Sequence, residues 1–336
     1  MNNRCHLNVT VMDKWWPEQL GLSAESTAQA RQARLDEVFP GLLTFPRGAA
    51  WPPMATDPNH GFTMACALGA SLTPTSLGGY EVVPLSREQL LALEPPDYAS
   101  NAPVQALRAA ILATKAEHGS VTCVSYSGLL YQALKLRGQE LFYDFSEEPA
   151  LVHHLAEVIG ETLYRHLVFL KDTCGHLPYF VLGSCQNCMI APALYEGFFR
   201  VHESRISTLS SYLMGHPRAM GIHHCGTKVD DYLDTYRQIE ELAMLEADWT
   251  SDIARATHTI PGLTFKPMLD PILLDEMSGA AIAAHLTPLL EQEAVEEIQA
   301  FGITQHFSVA QMRALLETVV AFNTRQGLPG YTRFML

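Results

Sequence analysis

The run Arg218-Ala219-Met220-Gly221-Ile222-His223-His224-Cys225-Gly226 reads as a short strand that ends in a His-x-Cys-Gly turn. Side chains in a strand alternate faces with period two, so His223 and Cys225 are expected on one face and His224 on the other. This strand is one member of a series. Upstream, Val121-Thr122-Cys123-Val124-Ser125-Tyr126 leads into a helix near Leu129 to Arg137 that Gly138 closes. Ser146-Glu147-Glu148-Pro149 then offers a cap, first-turn acidity and a proline. Leu151, Val152, Leu155, Val158 and Ile159 follow at helical spacing, in a helix expected to run to about Lys171.

The series continues with a strand at Leu177 to Leu182, the Cys185-Gln186-Asn187-Cys188 loop, and a helix opened by Pro192 and carried through Phe198 and Ile206. After the His223 strand come Ala243 to Ala247, with Asp248 and Asp252 behind it, and Thr264 to Met268, with Asp270 behind it. The last strand is read at Gly302 to His306, and Ser308 with Gln311 makes a capping box for the closing helix. Strands alternating with helices in this way indicate repeated βαβ units and a parallel sheet. The expected fold is α/β, a single TIM-type (β/α)8 barrel of residues 1–336. Residues 1–110 are expected to be an irregular helical and loop extension over the barrel mouth, because Trp15-Trp16-Pro17, Trp51-Pro52-Pro53 and Glu94-Pro95-Pro96 break the pattern. No internal repeat or low-complexity linker marks a domain boundary.

Bulk composition narrows the function. A chain of 336 residues with 48% hydrophobic content can bury a large core. With 22 Lys and Arg against 36 Asp and Glu, the net charge of −14 opposes binding to phosphate backbones or anionic lipid, so neither nucleic acid nor membrane is an expected partner. The first residues lack the apolar core of a secretory signal, and no uncharged apolar run approaches the ~18 residues of a membrane span. The expected location is the cytoplasm. Seven scattered cysteines do not resemble a disulfide framework, and reduced thiols are free to act as ligands.

In a parallel barrel, active sites are built where the strands end. Cys185, Cys188, His223, Cys225, Asp248, Asp270 and His306 all fall at such ends. Imidazole with thiolate is the ligand set that zinc prefers. His223 and Cys225 are therefore candidate ligands of a Zn2+ ion, with Cys185 and Cys188 from the neighbouring loop. All four would make a closed, structural site, whereas three protein ligands leave a position open for substrate. His306 is an alternative third ligand. Asp248 and Asp270 are candidates for orienting a ligand or holding a polar substrate group, against a plainer role in capping helices.

Four segments, Leu136-Arg137-Gly138, Glu147-Glu148-Pro149-Ala150-Leu151-Val152, Met189-Ile190-Ala191-Pro192-Ala193-Leu194-Tyr195-Glu196-Gly197-Phe198 and His223-His224-Cys225-Gly226, resemble the uroporphyrinogen decarboxylase superfamily. The closer similarity is to its methyltransferase branch, which moves methyl groups between corrinoid proteins and thiols. The resemblance spans roughly positions 60 to 325. It implies a single TIM barrel, zinc bound by His223 and Cys225, and a methyl donor that is a corrinoid protein or a small methylated compound. The chain departs from that pattern twice. The arginine-rich segment that receives carboxylates in the decarboxylases has no counterpart beyond Phe45-Pro46-Arg47-Gly48. No cysteine follows Cys225, so the branch's third ligand must come from elsewhere. A metal-independent decarboxylase or lyase, and a non-catalytic barrel that binds a metal or tetrapyrrole, are the competing readings.

Overall fold

The computed structural model describes residues 5–23, 25–43, 55–76, 79–121, 126–175, 177, 180–226, 229–327 and 331–334. Its strands are β1 (His6–Val11), β2 (Ser71–Pro74), β3 (Tyr80–Val83), β4 (Tyr126–Ser127), β5 (Phe180–Gly183), β6 (Met220–His223), β7 (Leu242–Asp248), β8 (Thr264–Met268), β9 (Glu297–Ile303) and β10 (Thr332–Phe334). Parallel strands alternate with helices, an α/β fold consistent with a TIM-like barrel and carrying short helices toward its N-terminus. Contacts divide the chain into two compact units, Met1–Ala49 with Met244–Leu336, and Ala50–Ala243.

In the first unit the strands run in the order β10-β1-β9-β8-β7. β1 lies between β9 and β10, with Leu7 opposite both Ile298 and Thr332. Its sequence, His-Leu-Asn-Val-Thr-Val, explains the placement: Leu7 and Val9 are fully buried, and β-branched residues suit a pleated surface. Asn323 ties the chain start to the closing helix Val309–Gln326, accepting from the Cys5 amide (2.8 Å) and donating to the Cys5 carbonyl (2.7 Å). The capping box of Ser308 and Gln311 forms as expected. Trp15 and Trp16 are core residues, Trp15 donating its indole N–H to the Phe307 carbonyl at 2.8 Å.

The second unit holds the parallel strands β4-β5-β6 and the antiparallel hairpin β2-β3. Its spine is the 26-residue helix Pro149–Cys174, amphipathic along its length and ended by Gly175. The helix Leu129–Arg137 ends at Gly138, as read from the sequence. Arg137 then turns to a carboxylate, making two hydrogen bonds to Asp144 at 2.5 and 3.0 Å.

Several expectations need correction. β1 lies inside the segment read as irregular. Ser146 caps nothing, because it belongs to a separate helix, Leu141–Glu147, and the long helix starts at Pro149 without a side-chain cap. The helix opened by Pro192 stops at Phe198, and a new one, Arg200–Met214, begins after Phe199. The last long strand is 297–303 instead of 302–306. The register shift that pairs Val9 with Ala300 but Val11 with Ile303 inserts an extra residue near Gly302, which broke the alternation. Cys123, Phe45 to Gly48 and Trp51 to Pro53 lie outside the described residues. None of the described helices is long and apolar enough to cross a membrane.

Candidate metal centre

The pairing of β5 with β6 brings the two ligand-bearing segments together. Gly183 is opposite His223, and the Ser184 amide donates to the His223 carbonyl at 2.8 Å. The next residue on the β5 side is Cys185, which opens a tight turn, Cys185–Met189. On the β6 side the strand ends at His223. Beyond it His224 turns inward, 0% exposed, with its Nδ1 2.7 Å from the Tyr236 hydroxyl. His223 and Cys225 remain part-exposed on the other side.

Three donor atoms meet there. His223 Nε2 lies 3.0 Å from Cys225 Sγ, and Cys225 Sγ lies 2.9 Å from Cys185 Sγ. The donor atoms of Cys185, His223 and Cys225 all fall within 4.8 Å of one another, which makes the trio a group able to hold a metal ion. Around a tetrahedral ion with bonds of ~2.0–2.3 Å such atoms stand roughly 3.4–3.8 Å apart, so the trio needs to open by less than about 1 Å. Two thiols and one imidazole match the preference of zinc over hard, oxygen-seeking cations. The residues present fit the ion.

The thiol chemistry agrees. A hydrogen bond from the Cys225 thiol, helped by a hydrogen bond and charge from His223 and opposed by burial, pulls the Cys185 thiol down to about 5. Thiolate is the form that binds metal. Burial, and then the charge of neighbouring His223, lowers His224 to about 4, so that ring stays neutral.

Cys188 does not join the trio. Its thiol donates to the Cys185 carbonyl at 3.2 Å and packs on Gly226, where an added Cβ would sit 3.3 Å from the sulfur. Gly226 also has φ +87°, a left-handed conformation that disfavours any side chain. The other strand-end candidates belong to the first unit. Asp248 accepts from the Thr250 amide (2.8 Å) and hydroxyl. Asp270 caps the helix Pro271–Glu276, accepting from the amides of Ile272 (2.8 Å) and Leu273 (3.3 Å). His306 lies past the end of β9, its Nε2 3.1 Å from Gln305 Nε2.

Sequence reasoning missed the residues that hold the turn. Tyr232 shares its hydroxyl proton between the carbonyls of Asn187 and Ile190, and Asn187 donates its side-chain amide to the Tyr236 hydroxyl at 3.0 Å. Two tyrosines four apart, just after a His-x-Cys turn, were the available signal.

No protein-family profile matches the chain, and no curated protein matches it in sequence. Solved structures do match. A methyltransferase from Methanosarcina mazei superposes with a TM-score of 0.61 at 13% identity, over 95% of this chain and 94% of its own. At that identity the match shows a shared fold. Xylanase 10B from Thermotoga petrophila RKU-1 in complex with xylobiose overlaps at a TM-score of 0.37 and 9% identity, covering 62% of this chain and 77% of that one. So low a score bears on nothing in the site.

Proposed function

We propose that the chain is a zinc-dependent methyltransferase, one barrel domain that moves a methyl group from a corrinoid protein or small methylated donor to a thiol-type acceptor. The observation that carries this reading is the meeting of Cys185, His223 and Cys225 at the ends of β5 and β6. The fold shared with a protein named a methyltransferase supports it.

Cys185 grips from one segment, and His223 and Cys225 from the other. With Cys188 outside the trio, three protein ligands leave a fourth position for substrate. Zinc held there would supply Lewis acidity that keeps an incoming thiol as its thiolate near neutral pH. The chain's remaining work is alignment of that thiolate with the methyl donor. A closed four-ligand site is the second reading and requires the Cys188 thiol to leave the Cys185 carbonyl and join the trio.

A cobalt-substituted sample separates the readings. Adding a small thiol such as 2-mercaptoethanol should shift the visible bands of an open site and leave those of a closed one unchanged. Methyl transfer to that thiol from a methylated corrinoid, lost on metal removal and restored by zinc, would establish the activity. Transfer that survives complete metal removal would overturn the zinc-dependent reading.

A further inference from the structure

The helix Val229–Tyr236 follows the Cys225-Gly226 turn and carries Tyr232 and Tyr236 four residues apart, hence on one face. Tyr232 is 1% and Tyr236 0% exposed. Burial of this depth requires each hydroxyl to find a partner, and both find it in the ligand-bearing segments. The Tyr232 hydroxyl closes the Cys185–Met189 turn, its one proton shared between the carbonyls of Asn187 and Ile190. The Tyr236 hydroxyl bridges the two segments. It receives the Asn187 side-chain amide at 3.0 Å and pairs with His224 Nδ1 at 2.7 Å. Asn187 is two residues from Cys185, and His224 lies between His223 and Cys225. A shift of this helix would therefore move Cys185 relative to His223 and Cys225.

We infer that Tyr232 and Tyr236 are positioning residues of the metal centre, splinting the Cys185 turn to the end of β6 so that the three donor atoms meet before any ion arrives. The inference rests on the metal-centre reading above and adds the residues that preorganise it. Partners hydrogen-bonded directly to a ligand affect metal affinity by about 10- to 100-fold, and these tyrosines, which act through residues beside the ligands, are expected at the lower end of that range.

Tyr195 provides the control. It is 0% exposed and stacks edge-on against both tyrosines, but its hydroxyl goes to Glu203 and to neither ligand segment. Metal-free wild type, Tyr232→Phe, Tyr236→Phe and Tyr195→Phe are titrated with Co(II), following the visible absorption bands, and the metal-free thermal midpoint of each is recorded. Tyr232→Phe and Tyr236→Phe should bind Co(II) at least about 10-fold more weakly and with shifted bands, while Tyr195→Phe stays within about 2-fold of wild type. Asn187→Ala, which removes the bridge from the other side, should weaken binding like Tyr236→Phe and serves if a tyrosine variant does not fold. Wild-type affinity and spectrum in Tyr236→Phe and Asn187→Ala would overturn the inference, as would an equal loss in Tyr195→Phe. Absence of Co(II) binding by wild type would instead remove the metal-centre reading on which the inference stands.

Discussion

His223 Nε2 stands 3.0 Å from Cys225 Sγ, while His224 between them faces the opposite way with its Nδ1 2.7 Å from the Tyr236 hydroxyl. Alternation thus continues past the last residue of β6, and it delivers two donors of suitable softness to one side and a neutral, buried ring to the other. The third donor, Cys185, arrives because the Ser184 amide is bonded to the His223 carbonyl.

Metal content per chain should follow this division. Cys185→Ser and Cys225→Ser are expected to lose most bound metal, since each removes one of three ligands. Cys188→Ser should keep it, because its sulfur is outside the trio. Atomic emission on purified, dialysed protein makes the comparison. Full metal retention in both Cys185→Ser and Cys225→Ser would end the argument for this centre.

The start of the helix Leu129–Arg137 buttresses the same turn. Gly128 donates its amide to the Gly183 carbonyl at 2.7 Å, and a Cβ added at Gly128 would stand 2.8 Å from Ser184 Oγ and 3.0 Å from the Gly183 carbonyl oxygen. Backbone cannot yield cheaply at that distance. Gly128→Ala should cost about 1–3 kcal/mol in urea unfolding, the range for overpacking a filled site, and should weaken metal binding by displacing Ser184 and with it Cys185. Unchanged stability and affinity would show that the approach has slack.

Glu203 makes stability depend on pH in a direction opposite to that of an ordinary paired carboxylate. It is 0% exposed, and burial raises its carboxyl from the usual 4.5 to about 7, against the lowering effect of hydrogen bonds from the Tyr195 hydroxyl and the Leu129 amide. Between these two values the native state holds a proton that the unfolded chain has released. The stability this contributes is complete below about pH 4.5 and is lost as pH rises to about 7. Glu203→Gln has no proton to lose. Its stability relative to wild type should therefore improve from pH 5 to pH 8, by on the order of 3 kcal/mol, in parallel urea titrations at the two pH values. A difference that is flat with pH would place the wild-type titration elsewhere.

What the sequence disclosed and what it withheld have separate physical causes. The strand ending in His223, the strand Thr264–Met268, the helix Leu129–Arg137 and the Ser308 capping box depend on local pattern, and each is found where it was read. The joining of Cys185 to the His-x-Cys segment was also accessible, because neighbouring parallel strands bring their C-terminal ends together. β1 was hidden by the tryptophan- and proline-rich residues around it, although Leu7, Val9 and Val11 alternate correctly. Tyr232, Tyr236 and Asn187 were hidden for another reason. A tyrosine on a short helix reads as core, and only the fold shows which carbonyl or amide its hydroxyl meets.

The same limit applies to charge inside the first unit, where Glu246 and Lys266 are register partners on β7 and β8. From sequence, an acid and a base on neighbouring strands suggest a solvated face. Instead Glu246 is 6% exposed, Lys266 Nζ lies 3.3 Å from Glu297 and 4.0 Å from Glu246, and Gln299 donates its side-chain amide to Glu246 at 2.7 Å. One ammonium thus serves two enclosed carboxylates. Lys266→Met keeps the length of the side chain but leaves both acids without that charge, and should destabilise by about 3–5 kcal/mol in urea unfolding, the cost of stranding a buried charge. Adding Glu246→Gln to that variant should recover part of the loss, because the second change removes one of the stranded charges, and the non-additivity measures their coupling. Strict additivity of the two substitutions would show that Glu246 and Lys266 do not depend on one another.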